Sequence, residues 1–434
     1  MGPHLDFVPG DTVVPRKVDF VIVGGGVIGA SAAMSLVEAG HSVVLCEKGQ
    51  VAGEQSSRNW GWCRQAGRDE REVPLIVESL RLWRGMNERV GAETGFRQHG
   101  TLYVADSPEE EASFEAWARM ARPQGVDAEI LTGARLAEVT GGAPLRHDAG
   151  LFVASDGRAE PQLAVPAMVR VAKGRGLTVL APCAVTGVER SGGRVDAVMT
   201  EYGRIECSGV LVAAGAWSSA FCRGLGLRLP QLKVLGSVFR TSAIEGGPEA
   251  SIWIGKIGLR KRLDGGYTIA HSATYDTPLT PDSVRFLREF MPMLRAEARG
   301  VRPHLALRSF RELLTPQSYA GARMLDPPPR AGDGQALLGT LASLFPAFAE
   351  ARILQRWGGY IDVTPDVVPY IDRIAADPNV VVATGFSGHG FGIGPGAGLL
   401  AAQLLMGREP MVGTRDFELR RFSDGRGVRL GAEV

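Results

Sequence analysis

Three glycines and one acidic residue stand at the spacing of a site for a dinucleotide. Gly24, Gly26 and Gly29 form the pattern G-x-G-x-x-G, and Glu47 follows at the end of the next apolar run. In such a turn the first glycine permits a tight bend, the second lets backbone N–H groups approach a pyrophosphate, and the third lets the following helix pack closely. The acid can accept a hydrogen bond from a ribose hydroxyl. These residues predict a site for FAD or NAD.

A strand, a helix and a second strand must hold these residues in place. The apolar run 18–23 predicts a buried parallel strand, a helix begins at Val27, and 43–45 predicts the next strand. The helix N-terminus then supplies partial positive charge to the phosphates. Two further apolar runs, 210–215 and 380–385, end in small residues, as a crevice at the carboxyl ends of parallel strands requires. A ligand that crosses the whole domain is expected, which favours FAD over NAD.

Composition sets the outer bounds on function. With 434 residues the chain is long enough for roughly two or three domains. A net charge of +1 gives no electrostatic argument for nucleic acid or an anionic membrane. The apolar runs are too short to span a bilayer, residues 1–17 show no signal-peptide pattern, and the five cysteines lack the C-x-x-C spacing of a metal site. We expect a cytoplasmic protein that binds small molecules and no metal.

Four further segments resemble the motifs of one flavoprotein superfamily. They are 56–64 (SSRNWGWCR), 211–217 (LVAAGAW), 357–366 (WGGYIDVTPD) and 385–392 (GFSGHGFG). Together with the glycine turn, and in this order along the chain, they resemble the D-amino-acid oxidase superfamily, which includes glycine oxidase, sarcosine oxidase and D-amino-acid dehydrogenases. The resemblance runs from Val18 to about Met406.

The resemblance implies the architecture. The expected fold class is α/β, with a Rossmann-type FAD-binding domain built from discontinuous segments and a β-rich substrate-binding domain. The FAD-binding domain is expected to comprise residues 16–92, 151–226 and 351–421. The substrate-binding domain is expected to comprise residues 93–150 and 227–350.

The resemblance also implies FAD as the cofactor, and the stretch 310–316 contains no cysteine that could bind it covalently. The helix start after His389 is expected to stabilise the negative charge that reduced flavin develops around N1 and C2=O. The residues expected to contact FAD are Gly24, Gly26, Val27, Ile28, Gly29, Glu47, Lys48, Ser56, Ser57, Arg58, Asn59, Trp60, Gly61, Trp62, Val185, Ala214, Gly215, Trp217, Gly359, Gly388, His389, Gly390, Phe391 and Gly392.

The activity that the resemblance implies is oxidation of a C–N bond. A hydride passes from the carbon that bears nitrogen to flavin N5, and the imine is then hydrolysed. This reaction needs a neutral amine and correct orientation rather than a dedicated acid–base pair. D-amino acids and secondary or N-methyl amino acids are the expected substrates, with oxygen or an electron carrier as acceptor.

Two alternatives stay open at this point. The chain could be the catalytic subunit of an opine- or hydroxyproline-type dehydrogenase, whose partner subunits take up the electrons. It could instead belong to the superfamily members that oxidise alcohols. A homo-oligomer is compatible with each of these interpretations.

The usual anchors of a substrate carboxylate are missing. Glycine oxidase and its relatives carry an arginine where this chain has Ile361, and monomeric sarcosine oxidases carry a lysine where it has Gly392. Another cation is therefore needed, and Arg64 is the first candidate because its loop is expected beside the flavin and arginine binds carboxylates bidentately. The other candidates are Arg97, Arg308 and the run Arg260–Arg262, which is expected to alternate along a solvent-facing strand.

Two residues of a further segment complete the predicted catalytic set. Tyr267 stands near the position where sarcosine oxidases carry a lysine that helps oxygen to react, and His271 resembles the histidine that follows it. Arg64, Tyr267 and His271 are therefore the predicted catalytic residues, although each could instead be structural. An aromatic substrate pocket could be lined by Trp60, Trp62, Trp253, Tyr267 and Tyr360.

Overall fold

The computed structural model describes residues 2–271, 275–297, 300–305, 318–425 and 427–431. Within these ranges the strands are β1 (Lys17–Val23), β2 (Val43–Cys46), β3 (Trp62–Cys63), β4 (Arg97–Gln98), β5 (Thr101–Val104), β6 (Ala128–Leu131), β7 (Gly150–Val153), β8 (Gly157–Arg158), β9 (Thr178–Leu180), β10 (Val185–Ser191), β11 (Arg194–Thr200), β12 (Gly203–Val212), β13 (Leu232–Thr241), β14 (Ser251–Ile254), β15 (Ile257–Lys261), β16 (Tyr267–His271), β17 (Tyr275–Leu279), β18 (Val301–Leu305), β19 (Ile353–Val363), β20 (Tyr370–Ile374) and β21 (Asp377–Thr384).

The helices within the same ranges are α1 (Val27–Glu38), α2 (Gln55–Arg58), α3 (Val73–Arg84), α4 (Met86–Val90), α5 (Pro108–Ala121), α6 (Gly133–Thr140), α7 (Pro161–Gly174), α8 (Ser218–Gly224), α9 (Pro281–Arg285), α10 (Leu287–Glu297), α11 (Ser318–Gly321), α12 (Asp333–Leu344) and α13 (Gly390–Met406). None of these helices has both the length and the apolar composition that crossing a bilayer requires.

The first sheet joins distant parts of the chain. Its strand order is β10–β11–β12–β1–β2–β9, and β21 with β20 continues beside the end of β12. β1 runs parallel to β2 and β12, and β12 runs parallel to β21. Parallel strands have neighbours on both faces, which explains why β1 and β2 are continuously apolar in sequence.

Two hydrophobic cores cover the two faces of this sheet. Phe20 and Ile22 of β1 point into a core with α1, α3, α7 and α13. Val21 and Val23 point into the opposite core, which contains residues of β11 and α8. The sheet is therefore a central layer, and α1 is apolar around most of its circumference because it lies between the sheet and other helices.

The second sheet is mainly antiparallel. Its strand order is β18–β17–β13–β16–β15–β14–β5–β7–β6, and β19 pairs antiparallel with β13 along its whole length, from Leu232 to Thr241. A third, small sheet of β3, β8 and β4 follows the loop after α2. The predicted α/β class, with a Rossmann-type unit assembled from separate segments and a β-rich part, is confirmed.

The sheets also bear on the predicted domain boundaries, which remain a prediction. β19 lies within the segment 351–421 that was assigned to FAD binding, yet it pairs with β13 from Leu232 to Thr241. β7 begins at Gly150 and likewise pairs inside the second sheet. These pairings place β19 and β7 in the second sheet, and the domain boundaries themselves stay a prediction.

Candidate active site

A continuous cavity of ≈ 460 Å³ lies at the carboxyl ends of the central parallel strands. The last residues of β1, β2 and β21 and Ala213, which directly follows β12, lie in its wall, and residues of β13 and β19 of the second sheet also line it. Ligands of open α/β sheets bind at this edge, because the loops and helix N-termini that follow the strands converge there. The cavity is thus placed to hold a long ligand between the two sheets.

The glycine turn forms one end of the cavity. Gly24 has φ +110°, which only glycine adopts without strain, and a Cβ on Gly29 would lie 2.0 Å from the carbonyl oxygen of Gly24. Gly24, Gly26, Val27 and Ile28 line the cavity, whereas Gly29 lies behind them. The turn thus presents the backbone and the N-terminus of α1 to a ligand, as binding of a pyrophosphate requires.

Glu47 closes the same end. Its carboxylate accepts hydrogen bonds from the backbone N–H of Gly25 at 2.8 Å and of Gly49 at 2.7 Å. Burial raises the pKa of this carboxyl group, and the two backbone donors oppose that rise. Glu47 is held rigidly in the cavity wall, where its remaining lone pairs can accept from the hydroxyls of a ribose.

Residues that follow β9 and β12 form another part of the wall near Glu47. Val185, Ala214, Gly215 and Trp217 all line the cavity. The Nζ of Lys48 lies 3.3 Å from the centroid of the Trp217 ring, a cation–π contact. This part of the wall thus combines the small residues Ala214 and Gly215 with the Trp217 indole and the Lys48 ammonium group packed against it.

The loop after β2 supplies the next part of the wall. Ser56 Oγ accepts from the backbone N–H of Val27 at 2.8 Å, and the Asn59 side chain accepts from the Gly61 N–H at 2.8 Å. Ser56, Arg58, Asn59, Trp60 and Trp62 line the cavity. Ser57 and Gly61 lie outside the lining, and their carbonyl oxygens accept bonds that anchor the loop, from Gln162 Nε2 at 2.5 Å and from Ala159 N–H at 2.8 Å.

The start of α13 forms the far end. Gly388, His389, Gly390 and Phe391 line the cavity, as does Gly359 of β19. Gly392 lies behind the lining, where its carbonyl oxygen accepts from Ser79 Oγ at 2.8 Å and from Trp83 Nε1 at 2.9 Å. These bonds fix the first turn of α13, so that its N-terminal N–H groups and their positive potential face the cavity.

Unpartnered polar atoms at this end test whether a flavin ring fits. Trp62 Nε1, Arg68 Nη1 and His389 Nδ1 are buried and have no hydrogen-bond partner among the described residues. Because buried polar atoms are almost always paired in native proteins, these three residues of the cavity wall suit a ligand edge that carries oxygen and nitrogen atoms. The pyrimidine edge of a flavin has that chemistry.

Arg68 was not predicted, yet it organises this end. Its Nη2 donates to the carbonyl oxygen of His389 at 3.0 Å, and its Nε donates to the carbonyl oxygen of Arg64 at 3.3 Å. Glu72 lies beside it, with 3.8 Å between Arg68 Nη1 and Glu72 Oε1. Burial lowers the pKa of Arg68 to about 10 and raises that of Glu72 to about 7. The segment R-Q-A-G-R-D has no motif that would have identified Arg68 from sequence.

His389 is a neutral imidazole at neutral pH. Burial, together with the nearby guanidinium groups of Arg68 and Arg64, lowers its pKa well below the ordinary value. Its backbone N–H donates to the carbonyl oxygen of Phe386 at 2.8 Å. The positive charges at this end therefore come from the two arginines and from the N-terminus of α13.

Arg64 differs from the other predicted cations. It lines the cavity, its guanidinium carbon lies 5.5 Å from the centroid of the Tyr103 ring, and it forms no ion pair with a carboxylate in the described part of the chain. Arg97 is paired with Glu93 at 3.0 Å and lies outside the lining. Arg308 lies outside the described residues.

The prediction for the run Arg260–Arg262 was wrong. Arg260 is not solvent-facing but 1% exposed, and its Nη1 lies 2.6 Å from Glu160 Oε1. Its Nε also donates to the carbonyl oxygen of Trp60 at 2.8 Å. Burial of the sheet face by the segment around Trp60 reverses the expected alternation, and Arg260 acts as a structural clamp for that segment.

Tyr267 and His271 lie on the same strand, β16, but only His271 lines the cavity. Tyr267 does not line the cavity: it is fully buried in a core, donates to the carbonyl oxygen of Pro248 at 2.9 Å, and its ring centroid lies 4.9 Å from that of Phe348. Its predicted catalytic role thus loses its geometric basis. His271 does line the cavity, and partial burial lowers its pKa below the ordinary value.

An aromatic wall adjoins Arg64. Trp60 and Trp253 are stacked, with 5.8 Å between their centroids and 19° between their planes. Trp62 meets Trp60 edge to face at 5.5 Å and Tyr103 at 6.2 Å. All four line the cavity, as does Tyr360 on β19. Tyr103 was not predicted, because the short buried strand β5 carries no functional motif.

Comparisons with known proteins agree with this geometry. The family model described as FAD dependent oxidoreductase matches residues 19–404. Sarcosine oxidase subunit beta of Rhizobium meliloti (strain 1021) is 27% identical over 414 residues, which cover 94% of this chain and 89% of the relative. Glycine oxidase of Bacillus subtilis (strain 168) is 25% identical over 404 residues, which cover 91% and 94%.

A solved structure shares the whole fold. The structure of L-amino acid deaminase from Proteus myxofaciens in complex with anthranilate matches with a TM-score of 0.92 and 29% identity, covering 98% of this chain and 97% of that chain. The predicted superfamily, the predicted FAD cofactor and the predicted class of reaction, oxidation of an amine or amino acid, are confirmed. This chain belongs to the family of FAD-dependent oxidoreductases.

Proposed function

We propose that this chain oxidises an amino acid with a bulky apolar or aromatic side chain, at the carbon that bears nitrogen. The observation that carries the proposal is an arginine in the cavity wall, Arg64, that forms no ion pair in the described part of the chain and stands beside an aromatic wall. A guanidinium is the side chain best suited to bind a carboxylate with two hydrogen bonds. The rings of Trp60, Trp62, Tyr103 and Trp253 would contact the substrate side chain.

The cofactor would lie along the cavity between its two ends. Gly24, Gly26 and Glu47 would hold the dinucleotide, and the start of α13 would face the ring. When bound, FAD supplies the acceptor for the hydride that leaves the substrate carbon. The positive potential at the N-terminus of α13 and the charge of Arg68 stabilise negative charge at that end.

The chain's own residues then have three tasks. Arg64 orients the substrate through its carboxylate, and the aromatic wall excludes water from the reacting carbon. His271 is the residue we assign to accept the proton of the substrate ammonium group, because its lowered pKa keeps the imidazole neutral at pH 7 and it lines the same cavity. No buried acid–base pair is required.

Anaerobic reduction of the purified FAD-bound protein tests the proposal. The panel contains both enantiomers of phenylalanine, leucine and alanine, N-methyl amino acids, and amines that lack a carboxylate. We expect the flavin absorbance to bleach with bulky amino acids and to bleach far more slowly with the matching amines. Full FAD occupancy without bleaching by any amino acid would contradict the proposal. The reactive enantiomer decides stereochemistry, and readmitted air separates an oxidase from a dehydrogenase.

A second candidate function is that of a catalytic subunit in a larger enzyme. It is favoured by the similarity to a sarcosine oxidase subunit beta over 94% of this chain. In that case the isolated chain would be reduced by its substrate but would turn over slowly with oxygen, and a native complex would restore turnover. Mass measurement of the untagged protein purified from its source distinguishes the two candidates.

A further inference from the structure

One side of the cavity is closed by an extended segment, residues 322–330, which we call the strap. It connects α11 with α12 and contains neither a helix nor a strand. Arg323, Met324 and Arg330 of the strap line the cavity. The strap is part of the stretch predicted to bind substrate, but the residues it contacts belong largely to the predicted FAD-binding segments.

The first end of the strap is fixed next to Glu47. Lys48 Nζ donates to the carbonyl oxygen of Ala322, and Arg323 Nη1 donates to the carbonyl oxygen of Lys48 at 3.2 Å. Arg323 also forms a bidentate ion pair with Glu201, with N–O distances of 2.6 and 2.5 Å. Glu201 in turn accepts from the backbone N–H of Ala184, another residue of the cavity wall, at 2.8 Å.

The middle of the strap is tied to the loop after β2. The backbone N–H of Leu325 donates to Glu54 Oε1 at 3.1 Å. Asp326 Oδ1 lies 2.8 Å from Nη1 of Arg58, whose side chain is only 3% exposed. Arg58 Nη1 also donates to the carbonyl oxygen of Gly358 at 2.8 Å, which links the strap to β19.

Close backbone packing shows that the strap is seated rather than loosely tethered. A Cβ on Gly49 would lie 2.4 Å from the carbonyl oxygen of Arg323. A Cβ on Gly358 would lie 2.6 Å from the carbonyl oxygen of Pro327. Side chains at these two positions would displace the strap, so the glycines are part of its seat.

We propose that the strap is part of the FAD site and retains the cofactor, which leaves only after the pairs Arg323–Glu201 and Arg58–Asp326 have opened. The inference rests on the proposed function, because it places FAD in this cavity. A ligand that contacts the glycine turn on one side and Arg323 and Met324 on the other is enclosed between them. Ion pairs at a partly exposed segment can open without global unfolding, so they set a release rate.

The test is the rate of FAD release from the intact holoenzyme, measured by the fluorescence of FAD freed on dilution. Glu201→Gln keeps an acceptor for the Ala184 N–H but removes the charge that pairs with Arg323. Asp326→Asn likewise removes the negative charge that pairs with Arg58. We expect Glu201→Gln to raise the release rate about two- to fivefold, as for a partly exposed pair. Asp326→Asn should raise it about tenfold or more because its partner is buried.

A matched control removes an ion pair elsewhere. Glu189→Gln breaks the exposed pair with Arg204, at 2.6 Å, on the strands β10 and β12. Its release rate should equal that of the wild type. Trypsin provides a second measurement that does not depend on any variant: bound FAD should protect the peptide bonds after Arg323 and Arg330, and removal of FAD should expose them.

The outcomes separate the strap from the proposed function. The proposal that the strap retains FAD would be overturned by strap variants that bind FAD fully and release it at the wild-type rate. Equal trypsin cleavage with and without FAD would also overturn it. If the wild-type protein nevertheless binds FAD and its flavin is bleached by amino acids, the proposed function still stands. A wild type that cannot bind FAD would overturn both.

Discussion

At the scale of single residues, the chemistry depends on which arginines are paired with a carboxylate of the protein. Arg97, Arg260 and Arg262 are each compensated by a carboxylate, whereas Arg64 in the cavity wall forms no ion pair in the described part of the chain. A ligand carboxylate would supply the missing charge. Two predictions belong to this scale, one for Arg64 and one for the buried Glu72.

Replacing Arg64 should weaken binding of amino acids selectively. Arg64→Met removes two charge-assisted hydrogen bonds to the substrate carboxylate, each contributing about 1.5–3 kcal/mol, so we expect the Kd to rise roughly a hundredfold or more. Arg64→Lys keeps the charge but loses the bidentate geometry and should give an intermediate value. Anaerobic titration of flavin reduction measures the Kd. Arg119→Met, at an exposed position, is the control, and an unchanged Kd in Arg64→Met would contradict the assignment.

Glu72 should make stability depend on pH in a defined direction. Burial raises the pKa of its carboxyl group from 4.5 to about 7, so the folded chain binds more protons than the unfolded chain between these values. The free energy of unfolding contributed by Glu72 therefore falls as the pH rises from 4.5 to 7.

Glu72→Gln should remove this dependence. The Tm of the variant relative to the wild type should rise between pH 5 and pH 7 and then level off, as measured by thermal unfolding of the apoprotein. Subtraction of the wild-type curve cancels the opposite contribution of His389. Because the pKa of His389 is lowered in the folded chain, the stabilising contribution of its neutral form is lost as the pH falls. Parallel Tm curves for both proteins would show that Glu72 carries no such shift.

At the scale of elements, the cofactor end depends on how closely α1 approaches β1. The third glycine of the turn, Gly29, packs against the carbonyl oxygen of Gly24, and Val27 at the helix start is held by Ser56. The N–H groups at the start of α1 can face a pyrophosphate only if this contact is kept.

A side chain at Gly29 should therefore abolish cofactor binding. Gly29→Val places a Cβ 2.0 Å from a backbone oxygen, so α1 must move away from the strand. We expect the variant to purify without FAD and to unfold at a lower temperature. In the control, Gly339→Ala in α12, the new Cβ meets no atom within 4 Å. It should keep FAD and gain about 0.5–1 kcal/mol in stability. A yellow Gly29→Val protein would contradict the role of the turn.

At the scale of the whole molecule, one buried ion pair joins the segment before α7 to the second sheet. Glu160 and Arg260 have side chains that are 5% and 1% exposed, and Arg262 Nη2 lies 3.3 Å from the second oxygen of Glu160. Arg260 also holds the backbone of Trp60, which begins the aromatic wall. The pair therefore positions the site across two parts of the fold.

Removing the shared carboxylate should destabilise the protein strongly. Glu160→Gln leaves two arginines without their buried counter-charge, and we expect a loss of about 3–5 kcal/mol in the free energy of unfolding. Urea denaturation of the apoprotein measures this. Glu115→Gln, which breaks an exposed pair with Arg119 at 3.4 Å, should cost less than about 1 kcal/mol. Similar losses in the two variants would exclude a clamping role for Glu160.

The amino-acid sequence was enough to identify the local dinucleotide-binding unit and the family. Gly24, Gly26, Gly29 and Glu47 are close in the chain, and their spacing alone predicts a strand, a turn, a helix and a dinucleotide. Four further motifs pointed to the superfamily, its α/β fold and its FAD. Such features are local, because turn geometry and helix starts depend on neighbouring residues, so they can be recognised without the fold.

Which arginines are paired with a carboxylate depends on the folded chain and could not be read from local sequence. From sequence, Arg64 and Arg260 were both candidates to bind a carboxylate, but Arg64 lines the cavity whereas Arg260 is buried against Glu160, 100 positions away in the chain. Tyr267 and His271 are four positions apart on β16 and share a face of the strand, yet Tyr267 is buried in a core while His271, at the end of the strand, lines the cavity. The strap has no motif at all, because its role arises from contacts with Lys48, Glu54 and Arg58. Burial and ion pairing are long-range properties, and only the folded chain sets them.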